Sequence, residues 1–574
     1  MIGELIPTGV TYNVGRVSIN NSYSGTAYFN NISVSGGGVM SSGGTDLYLI
    51  FGGSSSTKSP YSGNSITGSI LPISGSNVST GIFSTVGGGS ANQALGDYSY
   101  AEGIDSQAIG VYSHSEGNGT QATGNTSHSE GISTRANGDF SHAEGSGSLA
   151  NGNTSHAEGS STIASGAISH AEGLNTQSIG IFSHAEGNST IAHGSTSHAE
   201  GANTIASGST SHAEGSITSA LTDASHAEGN QTLAIGYASH AEGNQAQANG
   251  WSSHAEGYLT SAMSDASHAE GFESSAIGLY SHSEGFMGKT VGNFSHAEGS
   301  GSTSTGIASH AEGGVTQANG LNSHSEGYLT QAGGDYSHSE GNGSDSIGLT
   351  SHAEGFQTQA VGNFSHSEGS GTIANGLNSH AEGLQSQATG NTSHAEGYVT
   401  KASGDYSHSE GINTIASGLN SHAEGDSSIS SGHTSHAEGF QSMANGDYSH
   451  TEGYQSLAAG SYTHAGGQNS SAQGTASFIH STQSDALSNY SSILGGIGNR
   501  LTSTALRSAI IGGQNITGTT PDKVYVPGIV IVNSTPPSTS GSTGTTGTFS
   551  YDSNYMYICY STNSWGRVLL DKAF

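Results

Sequence analysis

Basic residues are scarce in this chain: ten Lys and Arg stand against 43 Asp and Glu, for a formal charge of −33. The ten are scattered singly, so no basic stripe exists to track a phosphate backbone, and nucleic acid is not an expected partner. Cysteine is nearly absent. Cys559 stands alone, which excludes an intrachain disulfide and leaves the redox compartment unspecified. Long apolar runs are also missing: the longest, around Val526 to Val532, is far too short to cross a bilayer, so no membrane insertion is expected. Met1 to Tyr12 shows no basic stretch followed by an apolar one, and no secretory signal is expected there. Hydrophobic residues amount to 32%, too few for several ordinary cores in 574 residues. Charged residues at 9% are too few for a charge-rich disordered chain.

What is present is glycine, 91 residues of it, with much serine and threonine, arranged on a fixed period. Ser-His-Ala-Glu-Gly, with Ser sometimes in place of Ala, recurs every 14 residues without insertion or deletion. The histidine slot steps from His114 through His128, His142 and His156 to His464, 26 histidines in all; only His193, His433 and His480 fall outside it. The glutamate slot runs likewise from Glu102 to Glu452. Each unit reads Ser-His-Ala-Glu-Gly-x-x-Thr-x-Ala-x-Gly-x-x, with Ser often replacing Thr. The second glycine (Gly124, Gly138, Gly152) gives way at Thr222 and Ser264, each followed by a turn-favouring Asp, Asp223 and Asp265. Glycine at two fixed places per 14 residues would interrupt any helix, whereas short alternating runs between glycine turns specify strands. So regular a period specifies stacked, repeated coils.

Alternation assigns the faces. Ser113, Thr120, Ala122 and Ala143 point inward, and all are small; His and Glu, two residues apart, point the other way. A 14-residue coil of two strands has room inside only for such side chains. Coils stacked at about 4.8 Å would make 26 steps into a rod on the order of 125 Å long.

The unit Ser141-His142-Ala143-Glu144-Gly145-Ser146-Gly147-Ser148-Leu149-Ala150-Asn151-Gly152 resembles the head repeat of YadA-like trimeric autotransporter adhesins, which reads roughly Ser-Val-Ala-Ile-Gly-x-x-Ser-x-Ala-x-Gly-x-x. The resemblance spans about residues 86 to 467. It implies an all-β fold, a left-handed parallel β-roll or β-solenoid, three chains about a common axis, and an adhesive or spacer role. His and Glu replace the family's Val and Ile, and the chain, ending at Phe574, shows neither the family's coiled-coil stalk nor its membrane barrel. Histidine-containing repeats, the Gly-Gly units near Ile493 and Ile510, and the aromatic tail from Tyr551 to Trp565 are similar to segments of phage and viral fibre proteins.

Four regions are expected: an N-terminal β-rich attachment or capping region (1–85), the 14-residue-repeat roll (86–467), looser Gly-Gly repeats (468–520), and a linker with a C-terminal β-rich tip (521–574). Residues after the first glycine and before the serine vary freely, while the His/Glu face hardly changes. A face that meets the same neighbour at every level is so constrained. The expected seam of a homotrimer is therefore the ladder represented by His114, Glu116, His128, Glu130, His142, Glu144, His156, Glu158, His254, Glu256, His352, Glu354, His450 and Glu452. Val86 and Tyr100 fill the histidine slot before the first histidine, and Gly466 fills the glutamate slot at the far end.

Bare glutamates 4.8 Å apart would repel by roughly 0.9 kcal/mol in water and about 3.5 at an effective dielectric near 20. A His–Glu hydrogen-bonded network would relieve this and would raise the histidine pKa values. Metal binding, at for example His114, His128 and His142, is the alternative use of the same groups; no cofactor is otherwise expected. Ser, His and Glu recur together, but adjacent strand residues face opposite sides, so Ser113 cannot serve His114 in a hydrolase triad, and no catalysis is expected. The exposed columns mix Tyr, Asn, Ser and Phe and lack the regular threonines of an ice-binding surface. Tyr112, Phe140, Trp251, Tyr336 and Trp565 are candidate surface contacts; the simpler role is packing on neighbouring coils or chains for the first four, and a small core or trimer cap for Trp565. The expected function is a phage or viral tail or receptor-binding fibre, on a virion or at a cell surface. Its partners would be a host glycan or protein and a baseplate or capsid protein. A bacterial surface or extracellular filament adhesin is the alternative.

Overall fold

The computed structural model describes residues 77–530 and 535–571, plus the backbone of four short strands, Ile32–Val34, Gly38–Met40, Thr57–Lys58 and Ile66–Thr67. The expected attachment or capping region, residues 1–85, otherwise lies mostly outside the described residues. The fold is an all-β parallel solenoid with 14-residue coils, and no helix occurs among the described residues. Residues 1–343 and 344–574 form two units.

In the first unit the repeats give a five-residue strand such as His142–Ser146, shortened to His282–Ser283 in one coil, and a two-residue strand such as Leu149–Ala150. Both pair in parallel and in exact sequence register with the next coil: His142 with His156, Glu144 with Glu158, Leu149 with Ile163. The two ladders enclose a thin interior of Ser141, Ala143, Ser148 and Ala150, all fully or almost fully buried. So small a filling buries little apolar surface per coil, and the interior is held by hydrogen bonds as much as by packing. The Ser141 hydroxyl donates to Gly138 O at 2.6 Å, that of Ser148 to Gly159 O at 3.2 Å, and Ser115 and Thr120 share a hydrogen bond at 2.8 Å.

Both glycines are demanded by the stacking. Gly145 has φ +99°, and a Cβ there would lie 2.0 Å from Gly159 O; at Gly152 it would lie 1.9 Å from Gly166 O. Where Thr222 replaces the second glycine, its hydroxyl donates to Gly236 O at 2.6 Å and so joins the coil above it. The Asp that follows ties its coil to the one before: Asp223 accepts the Ser209 N–H at 2.8 Å, and Asp265 accepts that of Trp251 at 2.9 Å.

One slot assignment changes. Thr85, not Val86, pairs with Tyr100, because a bulge between Val86 and Gly88 shifts the register. Val86 therefore falls in the alanine slot and is buried, as an apolar residue next to a solvated face would be.

In the second unit the coils run from His352–Phe356 to Val524–Tyr525. Beyond His464 the interior alanines are joined by Ile479, Ile493, Leu501 and Ile510, all fully buried. The register lengthens with them: Ser492 pairs with Ala509 and Ala509 with Val524. Phe549–Tyr551, Tyr555–Ser561 and Ser564–Leu569 then form an antiparallel sheet. Trp565 is not a surface contact. It is 8% exposed, packs in this sheet with the buried Cys559, and donates its indole N–H to Ser542 O at 3.0 Å. Its apolar rings find cover in the tail's small core, and the polar edge finds a carbonyl.

Candidate functional site: a ladder of imidazoles and carboxylates

Parallel register stacks identical side chains. In the first unit the imidazoles from His114 onward lie face to face, with ring centroids 4.5 to 4.9 Å apart and planes within 16°. In the second unit the same stack runs from His352 to His450. The rings are about a third exposed, with side-chain values of 33% for His128 and 35% for His142. Each glutamate stands beside the histidine two residues before it. Nε2 to carboxylate distances within a coil are 4.0 Å at His114–Glu116, 3.9 Å at His142–Glu144, His156–Glu158 and His254–Glu256, and 3.5 Å at His282–Glu284.

These separations are longer than hydrogen bonds. Nε2 is buried and without a hydrogen-bond partner at His114, His128, His142, His156, His254 and His450, among others. The expected His–Glu hydrogen-bonded network is thus not formed within one chain. Ring stacking fixes each imidazole parallel to its neighbours and stops it from swinging toward its carboxylate. An unsatisfied buried polar atom costs about 1–3 kcal/mol, so the ladder is a surface that gains from a further partner.

The electrostatics follow from the same stack. Burial holds His142, His156 and His170 below the ordinary histidine value, and the ring one coil before lowers them further; the glutamates push the other way without overcoming this. His422 is brought down to about 4 by the same causes. The rise expected from carboxylate neighbours is overturned, because desolvation and like neighbours outweigh a carboxylate held beyond hydrogen-bond distance. Among the first carboxylates protons are shared instead. Glu116 and Glu144 are pushed up to about 7, first by hydrogen bonding to Glu130, while those contacts lower Glu130. The repulsion foreseen for the column is relieved there by protons.

Glu102, Glu116, Glu130, Glu144 and Glu158, with the glycines that follow them, line an open groove of about 720 Å³. Two closures of the glutamate column were not foreseen. At one end the Tyr100 hydroxyl donates to Glu102 at 2.7 Å, which pushes the phenol up to about 12. At the other, Glu452 lies 3.5 Å from His464 Nε2 and 3.3 Å from His480 Nδ1. His464 turns edge-on to His450, at 83°, and the parallel stack ends. The signal was present in the slots: Tyr100 in the histidine position, Gly466 and His480 in successive glutamate positions.

The predicted aromatics lie elsewhere. Tyr112, Phe140 and Tyr336 occupy exposed left-handed turn positions, φ 57 to 60°. The turn is held by the hydrogen bond from its own N–H to a carbonyl of the preceding coil, 2.8 Å from Tyr112 to Asp97. Tyr112 stacks on Tyr98 at 4.8 Å, so this aromatic does cover a neighbouring coil. Trp251 is exposed and meets Tyr237 at 6.2 Å. His352, Glu354, His450 and Glu452 lie on the second unit's ladder, and the other predicted ladder residues on the first's.

No protein-family model matches the chain, and no curated protein matches it in sequence.

Proposed function

We propose that this chain is a structural and adhesive fibre protein whose ladder face packs against copies of itself, three chains to a fibre. The observation that carries this reading is the ladder: a half-buried face repeated coil after coil, with buried nitrogens such as Nε2 of His128 and His142 lacking partners. The turn residues beside it vary freely. A surface built for solvent needs no such constancy, and an enzyme needs one constellation, not dozens of equal ones. The resemblance to YadA-like head repeats and to phage fibre segments supports a fibre on a virion contacting a host surface, and the exposed turn aromatics suit a glycan or protein receptor there. The chain is read as non-catalytic.

Light scattering on the purified chain tests the assembly: three chain masses are expected, and a monomer at micromolar concentration would overturn the seam. Labelled protein should bind the host surface, and labelled antibody should decorate virions. Failure of both would leave a fibre without the adhesive or virion role.

A further inference from the structure

The glutamate column needs counter-charge, and no Lys or Arg among the described residues of the ladder coils stands on its sheet. On the solenoid, Arg135, Lys289 and Lys401 all stand on the two-residue strands, the opposite sheet. The imidazoles are poor cations, because a charged ring would face another ring at 4.5 to 4.9 Å. What remains is a neutral nitrogen donor beside an anionic oxygen donor, repeated at every coil.

The distances suit one kind of occupant. Glu116 lies 3.4 Å from His128 Nε2 and 4.0 Å from His114 Nε2. That is too far for a good hydrogen bond, yet two donors on a tetrahedral ion with bonds of about 2.1 Å stand roughly 3.4 Å apart. In His114–Glu116–His128, His156–Glu158–His170, His184–Glu186–His198 and His268–Glu270–His282, one donor atom from each residue lies within 4.8 Å of the others. The nitrogen in each case is buried and unpartnered. We propose that the ladder is a one-dimensional array of sites for a divalent transition-metal ion such as zinc. Each ion takes a carboxylate oxygen and an Nε2 from adjacent coils, with water completing its shell.

Mixed imidazole and carboxylate donors select zinc, nickel or cobalt over magnesium and calcium, which require oxygen shells. Charge sets the filling. One glutamate per coil neutralises one divalent ion per two coils, so the 26 ladder glutamates accommodate about 13 ions, beyond which like charges accumulate. The inference stands on one chain's donors and does not depend on the trimer seam.

The experiment is zinc titration of the full chain, stripped with EDTA, at pH 7.5. Bound metal is counted by elemental analysis after gel filtration. About 13 zinc ions per chain are expected, with a melting temperature raised by several degrees and no comparable response to magnesium. The triple variant Glu228→Gln, Glu242→Gln, Glu256→Gln keeps the ring stack and should lose one or two ions; His193→Ala with His433→Ala, off the ladder, should lose none. X-ray absorption of the zinc-loaded native chain gives a readout that needs no variant: imidazole scattering is expected. Two or fewer ions per chain, equal binding of magnesium, or an all-oxygen shell would overturn the proposal. Light scattering in EDTA keeps the two readings apart: three chain masses without metal preserve the seam whatever the zinc count.

Discussion

Glu452 and His480 lie 28 residues apart and meet at 3.3 Å, because Gly466, in the slot between them, has no side chain. A Cβ at Gly466 would stand 2.7 Å from His480 Nδ1 and 2.9 Å from Glu452 Oε1. The glutamate column is therefore ended by a contact that skips a coil. Gly466→Ala should cost about 1 kcal/mol by forcing the two groups apart. In a His480→Ala background the same change should cost less, because only the flexible Glu452 side chain must then move. Urea unfolding of the four proteins measures this coupling; equal costs in both backgrounds would show that the contact is incidental.

The glycines divide into two kinds, and substitution should tell them apart. Gly243 has φ +113°, and a Cβ would lie 2.2 Å from Gly257 O, against the Gly257 backbone, which has nothing flexible to yield. Gly243→Ala should destabilise the coil by about 3 kcal/mol or more. Gly147 has φ +70° and its Cβ would find only Ser161 Oγ at 3.8 Å. The equivalent position one coil on is Ser161, at φ 58°. Gly147→Asn should change stability by roughly 0.5 kcal/mol or less. Thermal melting of the two variants should differ accordingly, and similar losses would contradict the stacking geometry.

Turn residues tie each coil to the one before it. Asp139 accepts the Asn125 N–H at 2.8 Å, and its own N–H goes to Asn153 at 3.2 Å, so the column alternates Asn and Asp in one role. Asp139→Asn should be nearly silent, while Asp139→Ala should cost about 1 kcal/mol by orphaning the Asn125 N–H. Hydrogen exchange at the Asn125 amide is the local readout: faster in the alanine variant, unchanged in the asparagine one.

The 14-residue period made the coils, the strands, the inward Ser113, Ala122 and Ala143, and the outward His and Glu legible before any coordinates, because identical residues in parallel register must stack. Val86 was misplaced because a bulge shifts register locally, and no spacing within the repeat announces it. The aromatic tail pointed to a small core or cap, and Trp565 packs in such a core, but a short tail gives no period from which to assign its face. The state of the ladder was hidden for a different reason. Whether an imidazole meets its carboxylate at 2.8 or 3.9 Å depends on ring stacking between coils, a three-dimensional term that composition does not contain.

That term decides the response to pH. A histidine depressed on folding binds fewer protons in the folded chain than in the unfolded one, between its folded value and about 6.5. Stability must then fall as pH drops through that window, and His422 sets its lower edge at about 4. Glu116 and Glu144, raised to about 7, act in the opposite sense, gaining stability on acidification between 4.5 and 7. The lowered Glu130 adds to the loss at the acid end. Depressed histidines such as His142, His156, His170, His184 and His198 outnumber the two raised glutamates, so the histidine slope prevails. The melting temperature in EDTA should be lower at pH 5 than at pH 7.5. Replacing His226, His240 and His268, all held low by burial, by Gln, which keeps a planar polar group but cannot titrate, should flatten the difference. A higher melting temperature at pH 5 would mean that carboxylates hold the imidazoles in their charged form, and the ladder would then be a chain of ion pairs.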